Sequence, residues 1–170
     1  ENWLTSDNLS LYVDYSTCMA QALKTSPFFS DMIPYLKDAT KNFYSIKGDS
    51  IKNETGNVFN LLSSIQETNY ADILTAAENI VEGNSEGVLL TDGEYYEPTV
   101  AKSHVNDPYL KDVFSKWLKK GHDIYVVAEP YKETYNGNVF DKKRFYFLFT
   151  DSRVPNNIYD RILQCVDMKK

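Results

Sequence analysis

The chain has 170 residues, 42 % of them apolar and 14 % aromatic, a length and composition suited to a single globular domain with its own core. Eighteen basic against twenty-four acidic residues leave a net charge of −6 with no cluster of four or more Lys or Arg, which argues against a nucleic-acid partner. No uninterrupted apolar run approaches the roughly 20 residues that cross a bilayer, so no membrane-spanning segment is expected in this chain. The two cysteines, Cys18 and Cys165, are too few for a disulfide framework and lack metal-knuckle spacing; whether they pair is left open by the sequence.

Residues 9–13 alternate and are rich in apolar β-formers, which predicts a strand. Residues 19–36 carry apolar side chains at helical spacing, interrupted by Pro27 and Pro34. A second strand is predicted over 42–46, followed after Gly48-Asp49 by a short edge strand at 50–52. Residues 58–65 read as a short helix. The stretch 71–81 (ADILTAAENIV) places Ile73, Leu74, Ala77, Ile80 and Val81 on one face, and Gly83-Asn84 stops it.

Residues 87–91 (GVLLT) form a continuous apolar run, the pattern of a strand buried on both faces, as in parallel sheets. The helix predicted over 108–120 has Asp107 as N-cap, Pro108 in its first turn and lysines before Gly121. Two further strands are predicted at 123–128 and 144–150, and a closing helix at 157–168. The insertion 130–143 holds Asn136-Gly137, a hairpin turn signal, and on parallel strands it follows a carboxyl end. His104 and His122 read as isolated surface histidines.

Helices between buried strands predict an α/β fold: a doubly wound, mostly parallel central sheet with helices on both faces, as one domain over 1–170. Ligands of such sheets sit beyond the carboxyl ends of the strands. Three acidic and hydroxylic groups are expected on that edge: Asp14-Tyr15-Ser16-Thr17-Cys18, Glu67 to Asp72 around Thr68, and Thr91-Asp92-Gly93-Glu94. Hard oxygen donors of this kind suit Mg²⁺, with Mn²⁺ or Ca²⁺ as substitutes. The bland alternatives are helix capping for Asp14, Ser16 and Thr68 and turn chemistry for Asp92.

DYSTC after the first strand resembles the D-x-S-x-S signature of von Willebrand factor type A domains; TNYADIL is similar to their threonine loop and LLTDGE to their T-D-G strand end. The resemblance implies a Rossmann-like fold and a metal-ion-dependent adhesion site of Asp14, Ser16, Cys18, Thr68 and Asp92, rimmed by Tyr15, Glu94, Tyr95 and Tyr96. It also implies a protein partner that offers an acidic side chain to the ion. Cys18 departs from the pattern: a thiol is a poor Mg²⁺ ligand, so the ion is expected to be weakly bound or absent.

The function expected is a divalent-metal-dependent adhesion or assembly module and not an enzyme, because no Ser-His-Asp set and no phosphate-cradling glycine loop can be assembled. The alternatives are a structural or scaffolding domain with a degenerate metal site and, third, a Mg²⁺-dependent phosphoryl-transfer hydrolase using Asp14. The Tyr- and Asn-rich composition with few cysteines suits an extracytoplasmic protein of a bacterial cell envelope.

Overall fold

The computed structural model describes residues 9–16, 19, 25–28, 31, 32, 36, 40–56, 71–91, 96, 97, 102, 103 and 108–165. In chain order its strands are β1 (Ser10–Asp14), β2 (Asn42–Lys47), β3 (Ser50–Asn53), β4 (Gly87–Thr91), β5 (Tyr96–Glu97), β6 (Lys102–Ser103), β7 (Asp123–Tyr135) and β8 (Asn138–Thr150). The described helices are α1 (Ile73–Gly83), α2 (Pro108–Lys119) and α3 (Ile158–Cys165). Six strands make one sheet in the order β3-β2-β1-β4-β8-β7, and β5 pairs only with β6.

The sheet is mixed, which corrects the doubly wound parallel expectation. Pairing is parallel for β1–β2 and β1–β4 but antiparallel for β2–β3, β4–β8 and β7–β8. The chain is therefore not a parallel α/β sheet of the von Willebrand factor type A kind. The physical cause lies in the two-residue turn between β7 and β8. Asn136 (φ 50°) and Gly137 (φ 77°) are both left-handed, the combination whose twist joins two antiparallel strands. Residues 130–143, expected as an insertion between parallel strands, are instead the outer halves of a 13-residue hairpin on each side.

Each face of the sheet carries its own core. On one, Leu11, Val13, Tyr15, Val88, Leu90, Tyr146 and Leu148 pack with Met19, Phe28, Met32 and Leu36 and with Ile158 and Ile162 of α3. On the other, Tyr12, Ile46, Leu89, Phe147 and Phe149 meet Ile73, Ala76, Ala77 and Ile80 of α1 and Leu110, Val113 and Trp117 of α2. All five residues of β4 are buried because the strand is covered on both faces and flanked on both edges.

α1 is closed by local chemistry. The Asp72 carboxylate accepts from Thr75 N (3.0 Å) and Thr75 Oγ1 (2.6 Å), and Asn84 takes the left-handed cap conformation. Gly87 lets this helix lie close to β4: a Cβ there would stand 2.7 Å from Ile80 Cγ2. At the amino end of β4 the buried Glu86 carboxylate accepts from Asp151 N (3.1 Å) and Ile158 N (3.2 Å), tying the start of α3 to the sheet.

Candidate functional site

Parallel pairing brings the ends of β1 and β4 together. The register Val13↔Leu90 sets Asp14 beside Thr91, and Thr91 Oγ1 donates to Asp14 Oδ2 at 2.8 Å. Ser16 N donates to Asp14 Oδ1 at 2.7 Å, a local turn in which the carboxylate holds the chain two residues on. The backbone between them stays attached to β2 through Tyr15 N to Ile46 O at 3.0 Å. Asp14, Ser16 and Thr91 are all buried, Asp14 completely. One carboxylate and two hydroxyl-bearing residues thus converge at the carboxyl end of two parallel strands. On the same edge Ala71 bridges Gly48 just past β2, and Asp72 N donates to Gly48 O (2.9 Å), which anchors the entry to α1 there.

Of the residues predicted for the site, Asp14 and Ser16 are brought together. Tyr15, predicted for the rim, is completely buried in the core on the opposite face from Asp14. Burial, and after it the charge of Glu54, push its phenol well above its ordinary value, and Lys47 Nζ lies 5.3 Å from its ring centre. Tyr96 enters the β5–β6 pair opposite Ser103. Cys18, Thr68, Asp92, Glu94 and Tyr95 lie outside the described residues. Among the described residues no group of three or more His, Cys, Asp or Glu side chains gathers as a metal cluster. None of the described helices is long and apolar enough to cross a membrane.

Thr91 belongs to a group expected on this edge, but the sequence did not single it out as the partner of Asp14. Its signal is a hydroxyl closing a buried apolar run, but its role depends on a register between strands 77 positions apart. A second polar group also went unread. Arg144 is fully buried on the Tyr15 side, with Nε 3.4 Å from Glu129 Oε1 and its guanidinium 4.3 Å from the Tyr131 ring centre. Glu129 also accepts from Tyr146 OH (3.3 Å) and from Phe28 N (3.2 Å), while Tyr146 OH and Ser26 Oγ share a 2.7 Å hydrogen bond. Burial is the main cause that pushes the Tyr146 phenol well above its ordinary value. This network fastens residues 25–28 to the root of the hairpin.

At the opposite edge, His122 is buried and not the surface histidine expected. Its ring stands 4.6 Å from Trp117, and its Nδ1 accepts from Ser152 N (3.1 Å) with Ser152 Oγ 3.0 Å away. Asp151 Oδ1 also approaches this nitrogen, at 3.6 Å. A serine-hydrolase relay places acid and serine on different ring nitrogens, so this trio is not one. Arg153, through its side-chain hydrogen bonds, holds the Asp151 carboxyl below the usual carboxylate range.

Among the described residues the hairpin projects from the sheet. Only Phe145 to Phe149 of β8 pair with β4, so the seven pairs from Glu129↔Arg144 to Tyr135↔Asn138 reach past it by on the order of 20 Å. Because β7 runs parallel to β1 and β4, this arm leaves the edge on which Asp14 and Thr91 sit. Alternation assigns Pro130, Lys132, Val139, Asp141 and Lys143 to the Asp14 side and Tyr131, Glu133, Phe140 and Lys142 to the other. Val139 is 61 % and Phe140 46 % exposed near the tip. A shallow depression of about 360 Å³ on the arm is lined by Pro130, Tyr131 and Lys132 of β7 and their ladder partners Lys143, Lys142 and Asp141 of β8. Set against family models, curated proteins and solved structures, the chain matches none.

Proposed function

We propose that this chain is a protein-binding module, not an enzyme, and that its contact surface is the carboxyl edge of the sheet together with the β7–β8 arm. The observation that carries the reading is the arm. Its outer seven pairs lie beyond β4, its tip exposes Val139 and Phe140, and its root is pinned by the buried Arg144–Glu129 pair. Exposed apolar side chains on a projecting, well-anchored element serve recognition more readily than stability. The test is a photo-crosslinking amino acid placed at position 140 and, as control, at the exposed position 163 of α3 in cells producing the chain. A discrete adduct at 140 and none at 163 is expected; equal labelling at both positions, or none at 140, overturns the reading.

A second reading adds a divalent cation to the same edge, favoured by the convergence of Asp14, Ser16 and Thr91 and by the resemblance of DYSTC and LLTDGE to an adhesion motif. The donor set is hard, all oxygen, and suits Mg²⁺ or Mn²⁺. Thr91 spends its proton on Asp14 and keeps its lone pairs, so the pair can accept an ion without losing its own hydrogen bond. Burial of Asp14 requires the edge to open before an ion enters. An ion bound there would offer a coordination position to a partner's carboxylate. Melting with and without millimolar Mg²⁺ tests it: a rise in Tm that Asp14→Asn abolishes supports the ion, and an unchanged native Tm removes it.

A further inference from the structure

One long edge of the sheet belongs to β7, which ends the strand order and pairs with β8 alone among the described residues. The two-residue turn fixes which of its backbone groups face outward. In such a hairpin the pair that closes the turn, Tyr135↔Asn138, exchanges both of its hydrogen bonds, and bonded and non-bonded pairs alternate from there. The odd-numbered residues of β7 therefore bond inward to β8, while Ile124, Val126 and Ala128 turn their N–H and C=O groups to the outside. Beyond them the edge is blunted, because Pro130 has no N–H and Lys132 carries an exposed charge. From Ile124 to Ala128 no proline or charge interrupts it, and Val126 is 52 % exposed.

We propose that this edge is the seam of a homodimer, in which β7 of a second copy pairs antiparallel with β7 about a two-fold axis at Val127. The seam is separate from the arm tip, so the inference goes beyond the reading above. In this register the strand is complementary to itself. On the Asp14 side, Val126 lies opposite the second copy's Ala128 and Ile124 opposite its Pro130, so an apolar row runs unbroken across the seam. On the other side Val127 meets its own copy, Tyr125 faces Glu129 and Asp123 faces Tyr131, so no acid stands against an acid. The outward groups form about six hydrogen bonds: Val126 and Ala128 exchange two in each of their two pairings, and each Ile124 N–H donates to a Pro130 carbonyl.

The neighbouring registers fit less well. A two-fold axis at Val126 sets Asp123 against Glu129, and one at Ala128 sets Asp123 against Glu133 and the charge of Lys132 against Ile124. Any extended strand can satisfy the outward backbone groups, and the side chains choose among them. Each position calls for a small or branched apolar residue on the Asp14 side and a neutral partner for each acid on the other, which β7 itself supplies, and the two-fold axis makes every such contact twice.

The experiment is sedimentation equilibrium of the full chain from about 5 µM to about 1 mM, a range set by the small size of such a seam. The mass is expected to rise from 19.6 kDa toward twice that value. Val126→Pro removes an outward N–H that β8 does not use, and Val126→Lys puts a charge into the apolar row; each is expected to weaken the dimer about tenfold or more and to keep the native circular dichroism. Phe140→Lys, at the arm tip, is expected to leave the dimer unchanged. With Cys18 and Cys165 replaced by alanine, Val127→Cys is expected to give a disulfide-linked dimer on air oxidation, and Thr134→Cys, far from the axis, is not. A single mass up to 1 mM, a dimer that both Val126 variants leave intact, loss of the dimer on Phe140→Lys, or equal linking through positions 127 and 134 each overturn the proposal. A chain that stays monomeric while a photo-crosslinker at position 126 captures another protein assigns the edge to a foreign strand and overturns it too. The adduct at position 140 reports on the arm tip alone, so either result there leaves the seam to be decided by mass.

Discussion

Removing the Asp14 carboxylate separates what it does for the fold from what it offers an ion. In the native chain it accepts two hydrogen bonds from buried donors, Ser16 N at 2.7 Å and Thr91 Oγ1 at 2.8 Å. Asp14→Ala strands both, at about 1–3 kcal/mol each, and the Thr91 hydroxyl recovers part by rotating, for a loss of about 2–5 kcal/mol. Asp14→Asn keeps one acceptor oxygen and exchanges a charge-assisted bond for a neutral one, for about 1–3 kcal/mol. In a chain of this size about 2–4 °C of Tm accompanies each kcal/mol, so the Asn variant should melt roughly 2–12 °C below the native chain. Urea unfolding followed by circular dichroism at pH 7 gives the free energies directly. With Mg²⁺ at ten times its Kd, the ion reading adds about 1.4 kcal/mol to the native chain and nothing to the variant. An Asn variant as stable as the native chain, or more so, refutes the reasoning, because it would mean that the cost of burying the charge exceeds what these two bonds return.

Gly87→Ala forces a Cβ to within 2.7–3.0 Å of three Ile80 side-chain atoms and should cost about 1–3 kcal/mol. In an Ile80→Ala background the same change should cost at least about 1 kcal/mol less in urea unfolding, since the opposing atoms are gone. Gly137→Ala, at φ 77°, carries a left-handed penalty of about 1–2 kcal/mol. It should speed amide exchange across 131–141 about tenfold and leave 145–149 unchanged, because only the latter are held by β4. Asp151 has its folded pKa lowered from 3.8, first by the Arg153 side-chain hydrogen bond, so it contributes stability above that value that is lost as pH falls through the folded pKa. Arg153→Gln should therefore lower Tm at pH 7 and progressively less as pH falls below 3.8; a loss that does not shrink in acid would refute the linkage.

Among the described residues the helices of 71–81 and 108–120 were legible and the direction of the sheet was not. The 71–81 and 108–120 predictions fall within two residues of α1 and α2, because Asp72, Asn84 and the lysines before Gly121 are local signals that act where they stand. β4 was found at its observed bounds, but the inference from it failed. A continuous apolar run reports that a strand is central and covered on both faces; it says nothing about the direction of its neighbours, and here one neighbour is parallel and the other antiparallel. β7 and β8 were cut short at 128 and resumed at 144 because Lys132, Glu133, Asp141, Lys142 and Lys143 break the apolar pattern. An arm that leaves the core has no buried face to mark, so backbone pairing continues where alternation stops. Asn136-Gly137 was the one residue pair that carried the true topology.

The same distinction explains the site. Asp14 could be picked out because an acid that ends an apolar strand is anomalous in its own neighbourhood. Tyr15 was misplaced although the signal was present, since Leu11, Val13 and Tyr15 share one side of a period of two and the first two are core. The contact of Thr91 with Asp14 lay beyond reach because nothing near either in sequence names the other as its partner; only the β1–β4 register does. The mixed sheet nevertheless leaves the edge rule intact. Ligands collect beyond carboxyl ends because loops diverge there, and β1, β2, β4 and β7 all run to that edge, β8 alone of the long strands returning from it. The antiparallel hairpin thus extends this edge outward as an arm, and on the proposed reading a partner that engages both arm and edge must be elongated enough to cover the distance between them.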